Sequence, residues 1–340
     1  MKDHAATLYG EAVQRLKTEL GTIPITSTTL PHATIWSALF LGVYEMISSD
    51  SMSNWLQHCN GVAALTQMAG PYGFQMDAAK PILQINRSFI SIGAVANRKR
   101  TFLEQDEWKT VPWALQPMSK TIACFLQDIL CDIPGMMEDA DDLSSPAGDL
   151  VSASLLWQKV HSTFKQLEAL RTSWILMYPQ SYWKAERTFK GLYGAPEIFS
   201  SDLQEILCFS DLERAVEFVY FNTTHLILHS LLRQLRSVTN NYSLDNGSSL
   251  QETFGQEMPI LVFWDHDNRH RNALAICQCV DYMMHNQRGA SGAFNLLFPL
   301  KVAYNHLSDF QNMQKWVARV MGSISTTKGL FIGAQILDSY

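Results

Sequence analysis

Two histidines one helical turn apart are the first candidates for chemistry. His225 and His229 stand four residues apart in the segment HLILH, and residues at that spacing share one face of a helix. A zinc protease motif needs a glutamate directly after the first histidine, whereas Leu226 follows here. The pair is therefore either a polar stripe on a half-buried helix or part of a pocket wall, and we expect no metal there.

A second polar group follows the apolar segment PILVFW. In WDHDNRHR (264–271), Asp267 is suited to cap the helix that follows. His266 could exchange protons with a ligand, because imidazole titrates near neutral pH. Either the segment is only a charged capping loop, or it lies at the rim of a pocket. The candidate catalytic residues are therefore Tyr220, His225, His229 and His266.

Motifs of familiar cofactor and metal chemistry are incomplete. The acidic run 138–142 resembles a magnesium-binding carboxylate motif, but serines stand where a third carboxylate is needed. The segment GASGA (289–293) lacks the last glycine of a nucleophile elbow. Cys277 and Cys279 are two residues apart, which places them on different sides of a helix. We therefore expect neither a cofactor nor a bound metal.

Aromatic and methionine side chains are concentrated in the middle and later parts of the chain. Packing in a core explains such residues most simply, but an apolar pocket between helices has the same composition. Tyrosine and tryptophan also carry a polar tip that can orient a ligand. The residues predicted to bind an apolar ligand are Trp157, Trp174, Tyr178, Phe221, Trp264, Met283 and Met284. We expect Tyr220, His225 and His229 to lie near one cavity with Trp264 or His266.

The elements that must position these residues are helices, because apolar residues recur at helical spacing and no strand pattern is convincing. The prediction is an all-α fold: a single domain over residues 1–340, a large multi-helix array with short loops and an apolar pocket. The polar segment 240–258 is predicted to be a flexible loop. Helices are predicted over 5–20, 28–49, 50–70, 78–97, 149–171, 180–190, 209–239, 268–287, 291–308, 310–322 and 325–338.

Prolines predict two interruptions of this array. The helix that starts near residue 118 should break at Pro134 and Gly135, and residues 136–145 should form an acidic loop. Residues 107–113 should form an extended connector, because Val111 precedes a proline.

Composition narrows the function classes. The chain has 340 residues, of which 47% are hydrophobic, and a formal net charge of −6. This hydrophobicity argues against intrinsic disorder, and the negative charge argues against autonomous nucleic-acid binding. No apolar run is long enough for a membrane span. The six scattered cysteines are interpreted as reduced thiols of an intracellular protein.

Several segments taken together resemble a known family. They are YGEAVQRLKTEL (9–20), LFLGVYEMI (39–47), WLQHCNGVAALTQMAGP (55–71), RKRTFLEQDEWKTVPW (98–113) and the closing helices 271–284, 296–309 and 315–324. In this order they resemble the fungal-specific transcription factor domain, the regulatory middle region of fungal zinc binuclear cluster transcription factors. The resemblance implies a helical regulatory domain that senses metabolites or contacts co-regulators.

The zinc cluster of that family is not matched. It requires six closely spaced cysteines, but Cys59 is the only cysteine in the first hundred residues. We therefore expect no direct DNA binding by this chain.

Three hypotheses follow. The first is a cluster-less regulator, nuclear, that binds an apolar small metabolite or a partner protein (a co-regulator or a second copy of the chain). The second is a cytoplasmic, cofactor-independent enzyme of secondary metabolism, a cyclase, pericyclase or isomerase acting on an apolar polyene or terpenoid. Orientation alone can supply up to roughly 7–11 kcal/mol for such reactions. The third is a fragment of an ordinary activator.

Overall fold

The fold is built almost entirely from helices, as a computed structural model of the chain shows. The structure describes residues 2–22, 32–48, 51–144, 149–186, 205–246 and 266–335. The prediction of an all-α fold is confirmed, with one small antiparallel sheet as an addition.

The helices are α1 (Lys2–Thr22), α2 (His32–Ser48), α3 (Met52–Ala69), α4 (Lys80–Asn97), α5 (Asp106–Thr110), α6 (Ile122–Leu143), α7 (Leu150–Met177), α8 (Leu212–Asn246), α9 (His266–Gln278), α10 (Val280–Met283), α11 (Gly289–His306), α12 (Gln311–Lys328) and α13 (Ile332–Gln335). The strands are β1 (Tyr182–Glu186) and β2 (Glu205–Phe209).

Residue contacts divide the chain into two compact units. The first comprises Met1–Pro134 with Leu330–Gln335, and the second comprises Gly135–Gly329. The single domain over residues 1–340 remains a prediction.

In the first unit, α2, α3 and α4 form the core and α1 packs on α2. Every described side chain of α1 is at least partly exposed, so polar contacts help to hold this helix. The Tyr9 hydroxyl donates a hydrogen bond to Glu45 Oε1 at 2.7 Å and lies 2.8 Å from His58 Nε2. One tyrosine thereby joins α1 to both α2 and α3.

A fully buried arginine organises the other side of this unit. Arg87 on α4 pairs with Asp128 on α6, and Lys120 pairs with the same carboxylate at 2.5 Å. Both cations also lie near the ring of Trp113, at 5.3 and 4.9 Å from its centroid. The shared carboxylate and the ring offset the cost of burying these charges.

In the second unit, α8 packs against α7, α9 and α11, and α12 packs on α11. Strands β1 and β2 pair in antiparallel fashion, with Tyr182 opposite Phe209. The helix predicted over 180–190 is therefore wrong for its described part, residues 180–186. Tyr182 and Trp183 favour a strand, and the apolar segment around Leu207 forms the paired strand. Local sequence periodicity cannot reveal this pairing, because the two segments are distant in the chain.

Helix α6 passes through Pro134 without a break, which corrects the predicted acidic loop after that residue. Ile133, Met136 and Ala140 are completely buried. Burying such side chains is worth about 1.5–3 kcal/mol for each large one, which offsets the roughly 3 kcal/mol cost of an interior proline.

Residues 107–113 are helical rather than extended. Helix α5 continues into a 3-10 turn over Val111–Trp113, and Val111 has φ −58° and ψ −43° although a proline follows it. Trp108 and Trp113 are each 2% exposed, so their burial determines this conformation. Helix α8 extends to Asn246, so the first seven residues of the predicted loop 240–258 are helical; the remainder lies outside the described residues.

Gly292 provides a test of the packing between α10 and α11. A Cβ atom on Gly292 would overlap the backbone carbonyl oxygen of Met283, whereas one on Gly322 in α12 would meet nothing within 4 Å. We expect Gly292→Ala to lower the free energy of unfolding by more than about 2 kcal/mol, measured by urea denaturation. Gly322→Ala is the control and should raise it by up to about 1 kcal/mol. Equal effects of the two substitutions would contradict the close approach.

Candidate functional site

An aromatic cluster lies in the second unit, where α7, the sheet, α8 and α10 meet. Trp174 has its ring centroid 6.3 Å from that of Tyr178 and 6.2 Å from that of Phe221. The cluster extends through Phe209, which lies 5.3 Å from Tyr282. The members of this aromatic cluster are Trp174, Tyr178, Tyr182, Phe209, Phe218, Phe221 and Tyr282.

A charged pair is buried at this aromatic cluster. Glu217 is 2% exposed and Arg214 is 6% exposed. Glu217 Oε2 accepts a hydrogen bond of 2.6 Å from the indole Nε1 of Trp174, and Arg214 Nη1 lies 3.1 Å from the same oxygen. The Arg214 guanidinium also stacks 3.8 Å from the centroid of the Tyr178 ring. The rings therefore surround a carboxylate and a cation.

The chain directs this pair inward because of how α8 begins. Asp211 caps the helix by accepting a hydrogen bond from the backbone N–H of Arg214 at 2.9 Å. From there Arg214, Glu217 and Phe221 recur at intervals of three and four residues on one face. Sequence reasoning missed the two charged residues, although a charge placed on an apolar helix face was the available signal.

Burial raises the pKa of Glu217 to about 6, although the Trp174 hydrogen bond and the Arg214 charge act in the opposite direction. Its other oxygen, Oε1, has no hydrogen-bond partner among the described residues. A carboxyl group with this pKa can gain and release a proton near neutral pH.

Further along α8 lies a second polar group, which we call the histidine seam: His225, His229, Ser230, Asn272 and His306. The imidazole Nδ1 of His225 lies 2.7 Å from Asn272 Nδ2 on α9. Its Nε2 lies 3.9 Å from Glu168 Oε1 on α7, and its ring makes an edge contact with Phe164 at 4.6 Å. His225 therefore joins three helices.

The other end of the histidine seam joins α8 to α11. Ser230 Oγ lies 2.7 Å from His306 Nε2, and His306 Nδ1 lies 2.8 Å from the backbone oxygen of Val302. A neutral imidazole satisfies both contacts if Nδ1 donates to Val302 and Nε2 accepts from Ser230. The histidine is thus held in one tautomer by its neighbours.

Two imidazoles of the histidine seam, those of His225 and His306, favour the neutral form. Burial, followed by the charge of Arg171 and the nearby His229 and His306, lowers the pKa of His225 to about 3. Burial also lowers the pKa of His306, against the effect of its bond to Val302. These groups can therefore give and accept hydrogen bonds at neutral pH without carrying charge.

Of the predicted catalytic residues, His225 and His229 belong to the histidine seam and Tyr220 belongs to neither group. His225 and His229 lie one turn apart on α8, as their spacing requires. Tyr220 is half-buried on the same helix, where burial raises its pKa, and its ring lies 6.3 Å from that of Phe298.

Among the predicted ligand-binding residues, Trp174, Tyr178 and Phe221 belong to the aromatic cluster. Trp157 is half-buried on α7, and Met283 and Met284 are buried at the end of α10. Trp264 and the side chain of His266 lie outside the described residues. A common cavity that includes them remains a prediction.

Among the described residues, no group of three or more histidine, cysteine, aspartate or glutamate side chains lies close enough together to hold a metal ion. Of the described helices, none is sufficiently long and apolar to cross a membrane.

Comparison with known proteins supports the predicted resemblance. Residues 1–131 match the model of the fungal specific transcription factor domain, so the resemblance is confirmed over that part of the chain. An uncharacterized protein of Emericella nidulans is 27% identical over 75 residues. That match covers 22% of this chain and 16% of the relative. No solved structure gives a significant match.

The raised pKa of Glu217 predicts a pH-dependent stability. Because the folded state holds this proton up to about pH 6, whereas the unfolded state releases it near pH 4.5, the carboxyl group destabilises the fold as pH rises through this window. Relative to Glu217→Gln, the wild-type chain should lose about 2 kcal/mol of unfolding free energy between these pH values. Urea denaturation across the pH range measures this, and Glu11→Gln, an exposed glutamate on α1, is the control. The prediction is wrong if the free energy of unfolding changes with pH in both variants as it does in the wild type.

The histidine seam predicts the opposite pH dependence, in which the free energy of unfolding falls as the pH is lowered. His225 stays neutral when folded down to about pH 3, whereas the unfolded chain binds a proton near pH 6.5, so stability is complete above that pH and is lost as pH falls. Relative to His225→Gln, the wild type should lose about 2 kcal/mol between pH 6.5 and pH 5. The exposed His285→Gln variant should parallel the wild type in the same denaturation series. A His225→Gln variant with unchanged acid sensitivity would refute the buried neutral imidazole.

Proposed function

We propose that this chain is a ligand-responsive regulatory domain of the fungal transcription factor type, in which the second unit binds an apolar small metabolite. The observation that carries the regulatory part is the match of residues 1–131 to the model of that domain. Metabolite binding is supported by the aromatic cluster, where rings surround a buried carboxyl group with one unpartnered oxygen among the described residues. Apolar walls with a few polar groups are typical of small-molecule sites.

The regulator would act in the nucleus and without contacting DNA through this chain. Its net charge of −6 opposes binding to phosphate backbones. Binding of the metabolite would change contacts with a partner protein, either a co-regulator or a second copy of the chain.

The buried acid Glu217 supports a second candidate function, a cofactor-independent cyclase or isomerase acting on an apolar polyene or terpenoid. A carboxyl group with a pKa of about 6 can protonate a substrate. The surrounding rings could stabilise a developing positive charge through their faces. In this alternative the same cluster would hold a substrate rather than an effector.

Native mass spectrometry of the chain, purified from the cells that naturally produce it, tests the proposal. We expect a retained small molecule, and its occupancy should fall by at least about tenfold in Trp174→Phe, which keeps an aromatic ring but removes the N–H donor to Glu217. Trp36→Phe, a half-buried tryptophan of the first unit, is the matched control and should retain the molecule.

Incubating the retained molecule with fresh protein then separates the two candidates. An unchanged mass and retention time support the regulator, and conversion to an isomer supports the enzyme. A protein that is empty in every preparation would count against both and would leave regulation through a protein partner.

A further inference from the structure

Three arginines border the histidine seam from three different helices. Arg171 lies on α7, Arg233 on α8 and Arg269 on α9. Helices α7 and α9 both pack directly against α8. The three side chains range from half-buried to exposed, so solvent reaches this part of the unit.

Each arginine lies one turn from a residue that belongs to the histidine seam or contacts it. Arg171 follows Glu168 by three residues, and the Glu168 carboxylate lies 3.9 Å from the imidazole of His225. Arg233 follows His229 by four residues on α8. Side chains at these spacings share a helix face, so both arginines lie toward the histidine seam.

Arg269 approaches from the first turn of α9, three residues before the Asn272 that contacts His225. Its Nε is buried and has no hydrogen-bond partner among the described residues. The N-terminal turn of a helix also carries a partial positive charge, which adds to the charge of the guanidinium.

Several other cations of this acidic protein have carboxylate partners. Arg214 pairs with Glu217, and Lys109 lies 2.5 Å from Asp132. No hydrogen bond or ion pair to another described residue is found for Arg171, Arg233 or Arg269. Three guanidinium groups without a carboxylate partner among the described residues lie around polar side chains and concentrate positive charge there.

We propose that Arg171, Arg233 and Arg269, together with the histidine seam, bind the carboxylate or phosphate group of an amphipathic small molecule. This inference rests on the proposed function, because it names the polar end of the ligand whose body is apolar. Guanidinium groups bind both anions in bidentate geometry. The imidazole of His229, four residues before Arg233 on the same face of α8, would add a hydrogen bond to the same oxygens.

The electrostatics of the histidine seam agree with an anion site. The charge of Arg171 lowers the pKa of His225, after the larger effect of burial. The charges of Arg233 and Arg269 lower the pKa of His306, after burial and His229. A positive potential therefore reaches the histidines from three helices, and Glu168 is the acidic group that faces them from α7. A bound anion would offset this potential.

Titration calorimetry on the full chain tests the anion site with three ligands that have the same apolar chain and different head groups. Decanoate, decyl phosphate and 1-decanol share a ten-carbon chain and differ only at the head. We expect at least one of the two anions to bind about tenfold or more tightly than decanol, and the tighter anion identifies the head group. Raising the salt concentration should weaken binding of the anion and leave decanol unchanged.

Substitutions assign the effect to the named arginines. The Arg233→Gln, Arg269→Gln double variant changes side chains that are not deeply buried, and it should reduce the affinity for the anion to that for decanol. Arg319→Gln, an exposed arginine of α12 in the same unit, should leave the affinity unchanged. Circular dichroism verifies that each variant is folded.

Equal affinities for the anions and decanol would overturn the anion site, although they would still be consistent with a site for an apolar ligand. A loss of affinity that is the same in Arg319→Gln would also overturn it, and so would the absence of binding by all three ligands. The proposed function is judged separately, by the retained molecule.

Discussion

The second unit depends on one constraint: α8 crosses its interior while carrying charged and polar side chains. Arg214, Glu217, Asn222, Thr223, Thr224 and His225 are all buried on this helix. A buried polar group costs free energy unless neighbouring groups satisfy it. The indole of Trp174 and the amide of Asn272 therefore fix where α7 and α9 lie against α8. Apolar packing alone would tolerate several arrangements, whereas these contacts specify one.

The two polar groups of α8 are buried for different energetic reasons. At the aromatic cluster, Arg214 and Glu217 remain a charged pair, and removing one partner would leave the other uncompensated, which is more costly than losing an exposed pair. At the histidine seam, the imidazoles of His225 and His306 avoid that cost by remaining neutral. One helix thus carries an ionised site near its start and a neutral hydrogen-bonding site two turns later, which is suited to a ligand with an apolar body and distinct polar ends.

Helical periodicity was sufficient to predict the fold class and most helices, because that signal is local. It failed where a distant segment decides the outcome. Strand β1 exists because β2 pairs with it, and α6 continues through Pro134 because the side chains on both sides are buried. The spacing of His225 and His229 predicted their shared helix face, but Glu217 was missed, since a lone carboxylate in a sequence gives no sign that Trp174, 43 residues earlier, will be its hydrogen-bond donor.

The family match and the polar groups concern different parts of the chain. The matched residues 1–131 coincide closely with the first unit, Met1–Pro134, whose polar contacts tie helices to one another through Tyr9 and Arg87. Both the aromatic cluster and the histidine seam lie in the second unit, beyond the matched region. A family match over the first unit can indicate a class of regulator, but the chemistry of a ligand must be read from the second. There the arrangement of a buried carboxyl group, neutral imidazoles and unpaired arginines among the described residues argues for an amphipathic, anionic molecule rather than a purely apolar one.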